Sequence, residues 1–571
     1  MLSRISRRGL TPSRSSLSSF VSCSISSSSI RSSSTCTSSS SPHLANKPFR
    51  IAIVGGGPAG FYAASRLLSL PGSEKIKVDL FELLPTPFGL ARFGVAPDHP
   101  EVKNCEHKFE ETARDPRFRY FGNVQVCGSI DIPSSPSSSS PSSPSSSTIV
   151  PNLSPSSLAI QLPLSTIQSF YSSVLLTYGA SLDRPLNIPG EFSLSNVLSA
   201  RSFVNWYNGH PYHSSLSLSP ILNLSKIQHV SIIGQGNVAL DVARILLKPV
   251  QELKEFDVPD YVLEELNRSE IKRVEIVGRR GVLQLAATTK ELREMMILNG
   301  RVGFDGIEES VIKNAQRDLK NWSSQQESRA KKRALGLLEK GSQTKKEMAD
   351  KSWSLEFLKS PKQLLPQQVQ EQEQEDSITS SSTVSFDNLM QPPQKVGSIV
   401  YDLNELIETE QGGGVVARPT GQTEKVSTDM VFKSVGYRSI GLPGLPFDEK
   451  KGIVKNLDGR VIDENGEIMK GLYTSGWLAR GPNGVIATTM FNAFSTADLI
   501  AQDLSTSPSS SSIVDTDAGD IDRAIESVRG GKKLVSWEEW EKIDKVEKER
   551  GRSKGKLREK ITSVEEMLKI L

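Results

Sequence analysis

Apolar positions along this chain come in short continuous runs that stop at glycine, and several of these runs are followed by residues at helical spacing. FRIAIVGGGPAGFYAASRLLSL predicts a buried strand over Ile51 to Val54, a tight turn, and a helix carrying Ala63, Ala64, Leu67 and Leu68 on one face. IKVDLFE predicts a following strand that ends on Glu82. The design recurs in IQHVSIIGQGNVALDVARILL, where Gly234, Gly236 and Ala239 fill the three tight positions and Asp241 lies inside the helix. VEIVGRRG is the strand after that helix, delayed by a helical insertion through Lys248 to Ser269. SSVLLTYGA, ending at Ala180, and DMVFKSVGYRS, ending at Ser439, are two more apolar strands that each run into a glycine turn. Near the end, GLYTSGWLARGPNGVIATTM predicts a strand at Leu472 to Thr474, then Trp477, then a helix opened by Gly484, Val485 and Ile486. Strands alternating with helices in this manner imply an α/β fold.

Other stretches carry no apolar period. Residues 1–46 are dominated by serine, hold arginines at 4, 7, 8, 14 and 31, and contain no acidic residue, the composition of a mitochondrial or plastid transit peptide. Cleavage is expected before Phe49. SSPSSSSPSSPSSS, Ser134 to Ser147, is expected to be a disordered surface insertion within a wider insert near 131–157, and the glutamine-rich stretch near 364–395 is expected to be another. Removing these from 571 residues leaves enough chain for two globular domains. A net charge of +3 argues against nucleic acid as the main partner, and no run of about 18 apolar residues is present to span a bilayer. Cys23, Cys36, Cys105 and Cys127 form no C-x-x-C pair and no metal-ligand spacing, so the chain brings no redox disulfide, iron-sulfur cluster or metal site of its own.

The chemistry lies in the glycine turns. Gly55, Gly57 and Gly60, with Pro58 and Ala59 between them, form G-x-G-x-x-G between a strand and a helix. Glycines there let the main chain approach a pyrophosphate, whose charge the amides at the helix start favour. Glu82 stands about 20 residues beyond the turn, where a carboxylate meets a ribose diol. The second copy, with Gln235, Gly236, Asn237 and Val238, implies a second dinucleotide; one can be a bound flavin and the other a diffusing nicotinamide. After the second fold the equivalent strand ends on Arg279 and Arg280 instead of a carboxylate. Two guanidiniums favour a ribose 2'-phosphate where a carboxylate would repel it, so NADPH is expected in place of NADH.

GGGPAGFYAASRLL, TPFGLARFGVAPDHPEVKN, GQGNVALDVARILL, VGRRG, KELREM and SGWLARGPNGVIATTM together resemble the adrenodoxin reductases, the mitochondrial ferredoxin-NADP reductases. The likeness runs from about Arg50 to the carboxyl end, interrupted by the two inserts. It implies two Rossmann-like dinucleotide-binding domains, the NADPH domain inserted into the FAD domain, at 47–190 and 426–571 for FAD and 191–425 for NADPH. The implied reaction takes a hydride from NADPH and passes single electrons to a 2Fe-2S ferredoxin in the mitochondrial matrix, for haem monooxygenases or for iron-sulfur cluster or haem synthesis. Peripheral association with the inner membrane is compatible with it. The implied FAD contacts fall on Ala59, Glu82, Leu90, Val126, Trp477, Gly484, Val485 and Ile486. Those to NADP fall on Gln235, Gly236, Asn237, Val238, Arg279, Arg280, Glu291 and Gly484.

Few catalytic side chains are needed, because hydride transfer depends chiefly on positioning. His99 and Glu291 are the titratable candidates by resemblance, each either shuttling a proton or fixing a loop. A basic face would steer an acidic ferredoxin, and SRAKKRALGLLEKG supplies Arg329, Lys331, Lys332 and Arg333. Disulfide reductases and glutamate-synthase-like flavoproteins share the glycine folds but require cysteine motifs lacking here. A non-catalytic FAD-binding sensor or scaffold would keep the first loop and lose the arginines or the Trp477 to Ile486 segment; both are intact.

Overall fold

The apolar runs become two sheets. In the computed structural model, which describes residues 48–128, 158–213, 218, 222–320, 322, 325–368, 393–408, 415–506 and 518–571, the first sheet has seven strands. Its parallel part orders Ile468–Thr474, Ser173–Leu176, Phe49–Val54, Ile76–Phe81 and Phe118–Phe121 side by side. Arg460–Ile462 and Asn456–Leu457 extend it antiparallel at one edge. The second sheet has six strands, all parallel, in the order Val302–Phe304, Lys351–Glu356, Arg273–Val277, His229–Ile233, Met430–Lys433 and Val197–Ser199. Every strand of the second sheet lies in sequence between the two groups of strands that build the first, so one Rossmann-like fold is inserted into the other.

Parallel strands need both faces covered, and the covering helices supply the expected apolar faces. Pro58–Ser69 buries Ala63, Ala64, Leu67 and Leu68, and Asn237–Leu247 buries Ala239, Leu240, Val242, Ala243 and Leu246. The predicted helical insertion is two helices, Val250–Leu253 and Asp260–Asn267. The chain passes between the folds just beyond Ser173–Leu176 and Met430–Lys433, where Leu182–Asp183 and Tyr437–Arg438 pair antiparallel. From Pro48 to Leu571 the chain is one compact unit.

A third layer was not legible in the sequence. Lys359–Pro366, Val396–Glu408 and Val415–Ser427 form an antiparallel three-stranded sheet beside the second fold. The expected start of the glutamine-rich insert at Leu364 is therefore corrected: Leu364 is a buried strand residue, and the strand continues to Pro366. The remainder, 369–392, lies outside the described residues, as do the serine-rich 1–46 and the Ser134 to Ser147 segment.

The carboxyl end closes over the first fold. Ser536 and Glu539 cap the helix Trp537–Ser553 reciprocally, and its Trp537 and Trp540 pack edge-on against Phe88. Each such ring pair contributes roughly 0.5–1.5 kcal/mol beyond area burial. Glu547 on the same helix accepts from Arg92 at 2.6 Å and from Arg558 at 2.8 Å, with Arg92 and Glu547 almost wholly buried, so removing Glu547 strands the Arg92 charge. Asp257, from the insertion in the second fold, receives Lys103 and Lys560, each at 2.8 Å.

Candidate functional site

Both glycine turns are built in the same way. Gly55 has φ +112° and a Cβ there would stand 2.6 Å from the Tyr178 main chain; Gly234 has φ +120° and is overlain by Ser434. In each case the first glycine lets the crossing segment pass directly over the turn. At the next glycine of each motif, Gly57 and Gly236, a Cβ would meet no atom within 4 Å. Each turn therefore presents open space at the head of a helix, Pro58–Ser69 or Asn237–Leu247, where free main-chain amides favour an anion.

Around the first turn the structure gathers the predicted residues. Glu82 Oε2 accepts from the Gly56 amide at 2.6 Å and Oε1 from the Leu84 amide at 3.1 Å. Burial raises this carboxyl against the lowering by the amides of Leu84, Gly56 and Leu83. Leu90 starts the short helix Leu90–Phe93, and a Cβ on the preceding Gly89 would lie 3.1 Å from the Gly57 Cα. Val126 is buried on the strand Val124–Cys127, which departs from Glu82 through a Val124 amide to Glu82 carbonyl bond of 2.8 Å. From the other side Gly476 approaches Ala59 so closely that a Cβ on it would lie 2.7 Å from the Ala59 Cβ. Trp477 stands 5.9 Å from the ring of Tyr437. Gly484, at φ +83°, turns the chain into the helix Ile486–Thr506, leaving Val485 53% exposed beside it.

The second turn differs in what its side chains do. Gln235 Nε2 donates to the carbonyls of Ile276, at 3.1 Å, and Glu356, at 2.8 Å, bracing the strand ends. Asn237 Oδ1 accepts from the Thr288 amide at 2.8 Å, tying the turn to the helix Thr289–Met296; Val238 beside it is half-buried. Arg279 and Arg280 are exposed, and neither side chain has a hydrogen-bond or ion-pair partner among the described residues. Their main chain is held firmly. The Arg279 carbonyl accepts from Asn404 Nδ2 at 3.1 Å, that of Arg280 from the Leu358 amide at 3.1 Å, and that of Gly278 from the Lys359 amide at 3.0 Å. The unforeseen three-stranded sheet thus fixes the turn and leaves the guanidiniums free.

Between the folds lies a charged cluster centred on Arg244, 2% exposed. Its guanidinium reaches Asp98 at 3.0 Å, Asp241 at 2.8 Å, Glu291 at 3.1 Å and Glu294 at 3.3 Å. His99 Nε2 and Glu294 Oε2 are 2.7 Å apart, and Lys248 reaches Asp98 at 3.0 Å. Burial alone would raise the Asp98 carboxyl, but Arg244 and Lys248 outweigh it and hold its pKa at about 2. Burial raises Asp241 and Glu291, the latter further through the charge of Asp241. The expected pair His99 and Glu291 is therefore brought together, but through Arg244 and Glu294, which sequence reasoning missed. The available signals were spacing alone: Glu294 follows Glu291 by one helical turn, Arg244 follows Asp241 likewise, and Asp98 precedes His99.

Arg329, Lys332 and Arg333 project from the helix Gln325–Lys340 as exposed cations. Lys331 departs from the expected docking row. It is half-buried, its ammonium donates to the Leu283 carbonyl, and it lies 4.5 Å from the ring centre of Trp322.

Known proteins resemble this arrangement along nearly the whole chain. The mitochondrial NADPH:adrenodoxin oxidoreductase of Drosophila melanogaster is 38% identical over 531 residues, spanning 91% of this chain and 93% of its own. That of Arabidopsis thaliana is 37% identical over 92% and 95%, and that of Homo sapiens 37% over 91% and 92%. The chain belongs to the NADPH:adrenodoxin oxidoreductase family. No family model matches it. Among solved structures, Mycobacterium tuberculosis FprA in complex with NADPH superposes with a TM-score of 0.73 at 33% identity, covering 92% of this chain and 99% of that one. As an NADPH:adrenodoxin oxidoreductase family member the chain is an oxidoreductase, and no helix among its described residues is long and apolar enough to cross a membrane.

Proposed function

We propose that the first glycine turn holds FAD, that the second takes NADPH, and that electrons leave one at a time to a 2Fe-2S ferredoxin in the mitochondrial matrix. Three observations support the cofactor assignment. Both turns keep open space where a pyrophosphate would lie, Glu82 closes the first fold with a carboxylate, and the second closes with two cations. The observation that carries the reading is the last: among the described residues Arg279 and Arg280 have no side-chain partner, on a turn held through three carbonyls, the setting in which a 2'-phosphate gains charge-assisted bonds at little ordering cost.

Within this reading Ala59, Glu82, Leu90, Val126, Trp477 and Gly484 to Ile486 border FAD. Gln235 to Val238, Arg279, Arg280, Glu291 and Gly484 border the nicotinamide nucleotide. FAD bound there would accept a hydride and release electrons singly. The chain's own contribution is placement. Arg244 joins Asp98 of the first fold to Asp241, Glu291 and Glu294 of the second, fixing the distance between the two cofactor sites. Glu291 is anchored by that guanidinium, while His99 Nε2, paired with Glu294 Oε2, can hold or release a proton beside the loop. Arg329, Lys332 and Arg333 form the cationic face for an acidic ferredoxin, where exposed, screened charges give fast steering and easy release. The relatives' names support mitochondrial residence, and a serine- and arginine-rich 1–46 is the matching import signal.

The test is anaerobic titration of the purified yellow protein. NADPH should bleach the flavin band stoichiometrically and NADH only at far higher concentration, and adding a 2Fe-2S ferredoxin should restore the colour. A flavin that NADPH leaves oxidised would overturn the reading.

A further inference from the structure

We propose that Lys331 is a third cation of the 2'-phosphate subsite, acting beside Arg279 and Arg280, and is not part of the ferredoxin-docking face. This rests on the NADPH reading of the second fold and names a further residue that sets its selectivity. Helix Gln325–Lys340 lies against the short turn Val282–Gln284, the residues immediately after Arg279, Arg280 and Gly281. Lys331 reaches across to that turn and donates to the Leu283 carbonyl, while the Trp322 ring covers its ammonium from 4.5 Å. Trp322 is itself anchored by its indole N–H, which donates to Glu327 at 3.1 Å. The lysine is therefore steered toward the arginine turn and held there, whereas Lys332 and Arg333, its neighbours in sequence, are exposed.

The second step is charge. An ammonium has three donors, and one is used on Leu283. No carboxylate among the described residues forms an ion pair with Lys331, nor with Arg279 or Arg280. Lys103, Lys248, Lys359 and Lys433, also half-buried, each have a carboxylate within 3.0 Å; Lys331, like Lys532 on the Ala159 carbonyl, is instead spent on a main-chain oxygen. Burial lowers the pKa of Lys331, Glu327 raises it, and the charge of Arg280 lowers it again, so the two cations are close enough to repel. Glu327 supplies one negative charge against the three cations Lys331, Arg279 and Arg280, so an arriving dianion is favoured, and a phosphate monoester carries that charge with several acceptor oxygens. The preorganised lysine then adds to binding without the ordering cost of a free surface side chain.

The experiment compares inhibition by adenosine 2',5'-bisphosphate with inhibition by AMP, using the flavin-loaded enzyme and ferricyanide as acceptor so that ferredoxin plays no part. Lys331→Met keeps the stem over Trp322 and removes the charge; Lys331→Gln serves if methionine disturbs the helix. The inhibition constant for the bisphosphate should rise about tenfold, as loss of one charge-assisted bond predicts, while that for AMP stays unchanged. Lys331→Arg should restore most of the affinity. Unchanged bisphosphate inhibition in Lys331→Met, alongside weakened inhibition in Arg279→Ala, would overturn this inference and leave the NADPH reading standing. Equal losses for bisphosphate and AMP would reduce Lys331 to a packing role and overturn it as well. A raised KM for ferredoxin with normal bisphosphate binding would return Lys331 to the docking face. If neither Lys331→Met nor Arg279→Ala with Arg280→Ala moves the bisphosphate, the NADPH reading falls together with the inference.

Discussion

The two glycine turns share a backbone and part company at the next strand. In the first fold that strand ends on Glu82, whose carboxylate is folded back onto the Gly56 and Leu84 amides. In the second it ends on Arg279 and Arg280, whose side chains touch no partner among the described residues although their main chain is fixed by Asn404, Leu358 and Lys359. One site is integrated with its own loop, as suits a cofactor that stays. The other presents charge outward on a rigid base, as suits a nucleotide that exchanges. On the proposed function, the glycine motif serves a dinucleotide in both folds and the strand end beyond it serves to distinguish the two.

The largest effect expected from breaking this comparison comes from filling the open glycine positions. Gly57 and Gly236 have empty space beyond the Cα and ordinary negative φ, so valine at either should leave the fold intact. Gly57→Val should yield colourless protein with retained secondary structure. Gly236→Val should keep its flavin and lose NADPH turnover by about a hundredfold or more, since the side chain would occupy the pyrophosphate's approach. Loss of flavin in both, or in neither, measured by absorbance and circular dichroism, would erase the distinction between the sites.

A smaller effect follows at the joint between them. Asp98→Asn removes the carboxylate shared by Arg244 and Lys248 and should cost about 2 kcal/mol in denaturant unfolding near neutral pH, since Lys248 loses its 3.0 Å partner while Arg244 keeps Asp241, Glu291 and Glu294. The same carboxylate gives a pH signature. Its folded pKa of about 2 lies below the ordinary value of 3.8, so its contribution is complete above pH 3.8 and is lost as pH falls toward 2. The shift corresponds to about 2 kcal/mol. The wild type should therefore lose more stability over that window than Asp98→Asn does; parallel acid profiles would place the clamp elsewhere.

The smallest effect belongs to the surface. Reversing charge at Lys332 and Arg333 should raise the KM for ferredoxin several-fold at low salt and leave ferricyanide reduction unaltered, with the difference fading as the Debye length shrinks to about 8 Å near physiological ionic strength. Normal ferredoxin kinetics at low salt would remove the helix from the docking face.

Most of this organisation was legible from local pattern. Apolar runs ending at Gly55 and Gly234 announced both parallel sheets, because strands buried on two faces read as continuous hydrophobic stretches. The insertion topology came with the family resemblance, the second glycine motif lying between the apolar strands that run to Ala180 and Ser439. The three-stranded sheet stayed hidden because its outer strand, VVARPTGQTEKVS, is largely exposed and polar, and its other two are separated by a glutamine-rich stretch. Lys331 was grouped with Arg329, Lys332 and Arg333 because sequence records adjacency and not direction; one step along a helix turns a side chain by roughly 100°. Arg244 was overlooked for a related reason. Its four carboxylate partners come from three separate segments, and only the folded chain brings them to one guanidinium.

The central claim is that the end of the second strand selects the nucleotide, and the ratio of kcat/KM for NADPH over NADH tests it most directly. In Arg279→Ala with Arg280→Ala that ratio should collapse by about a hundredfold or more, the loss of two charge-assisted bonds, through a higher KM for NADPH at nearly constant NADH kinetics and full flavin content. An unchanged ratio, or equal losses for the two nucleotides, would contradict it.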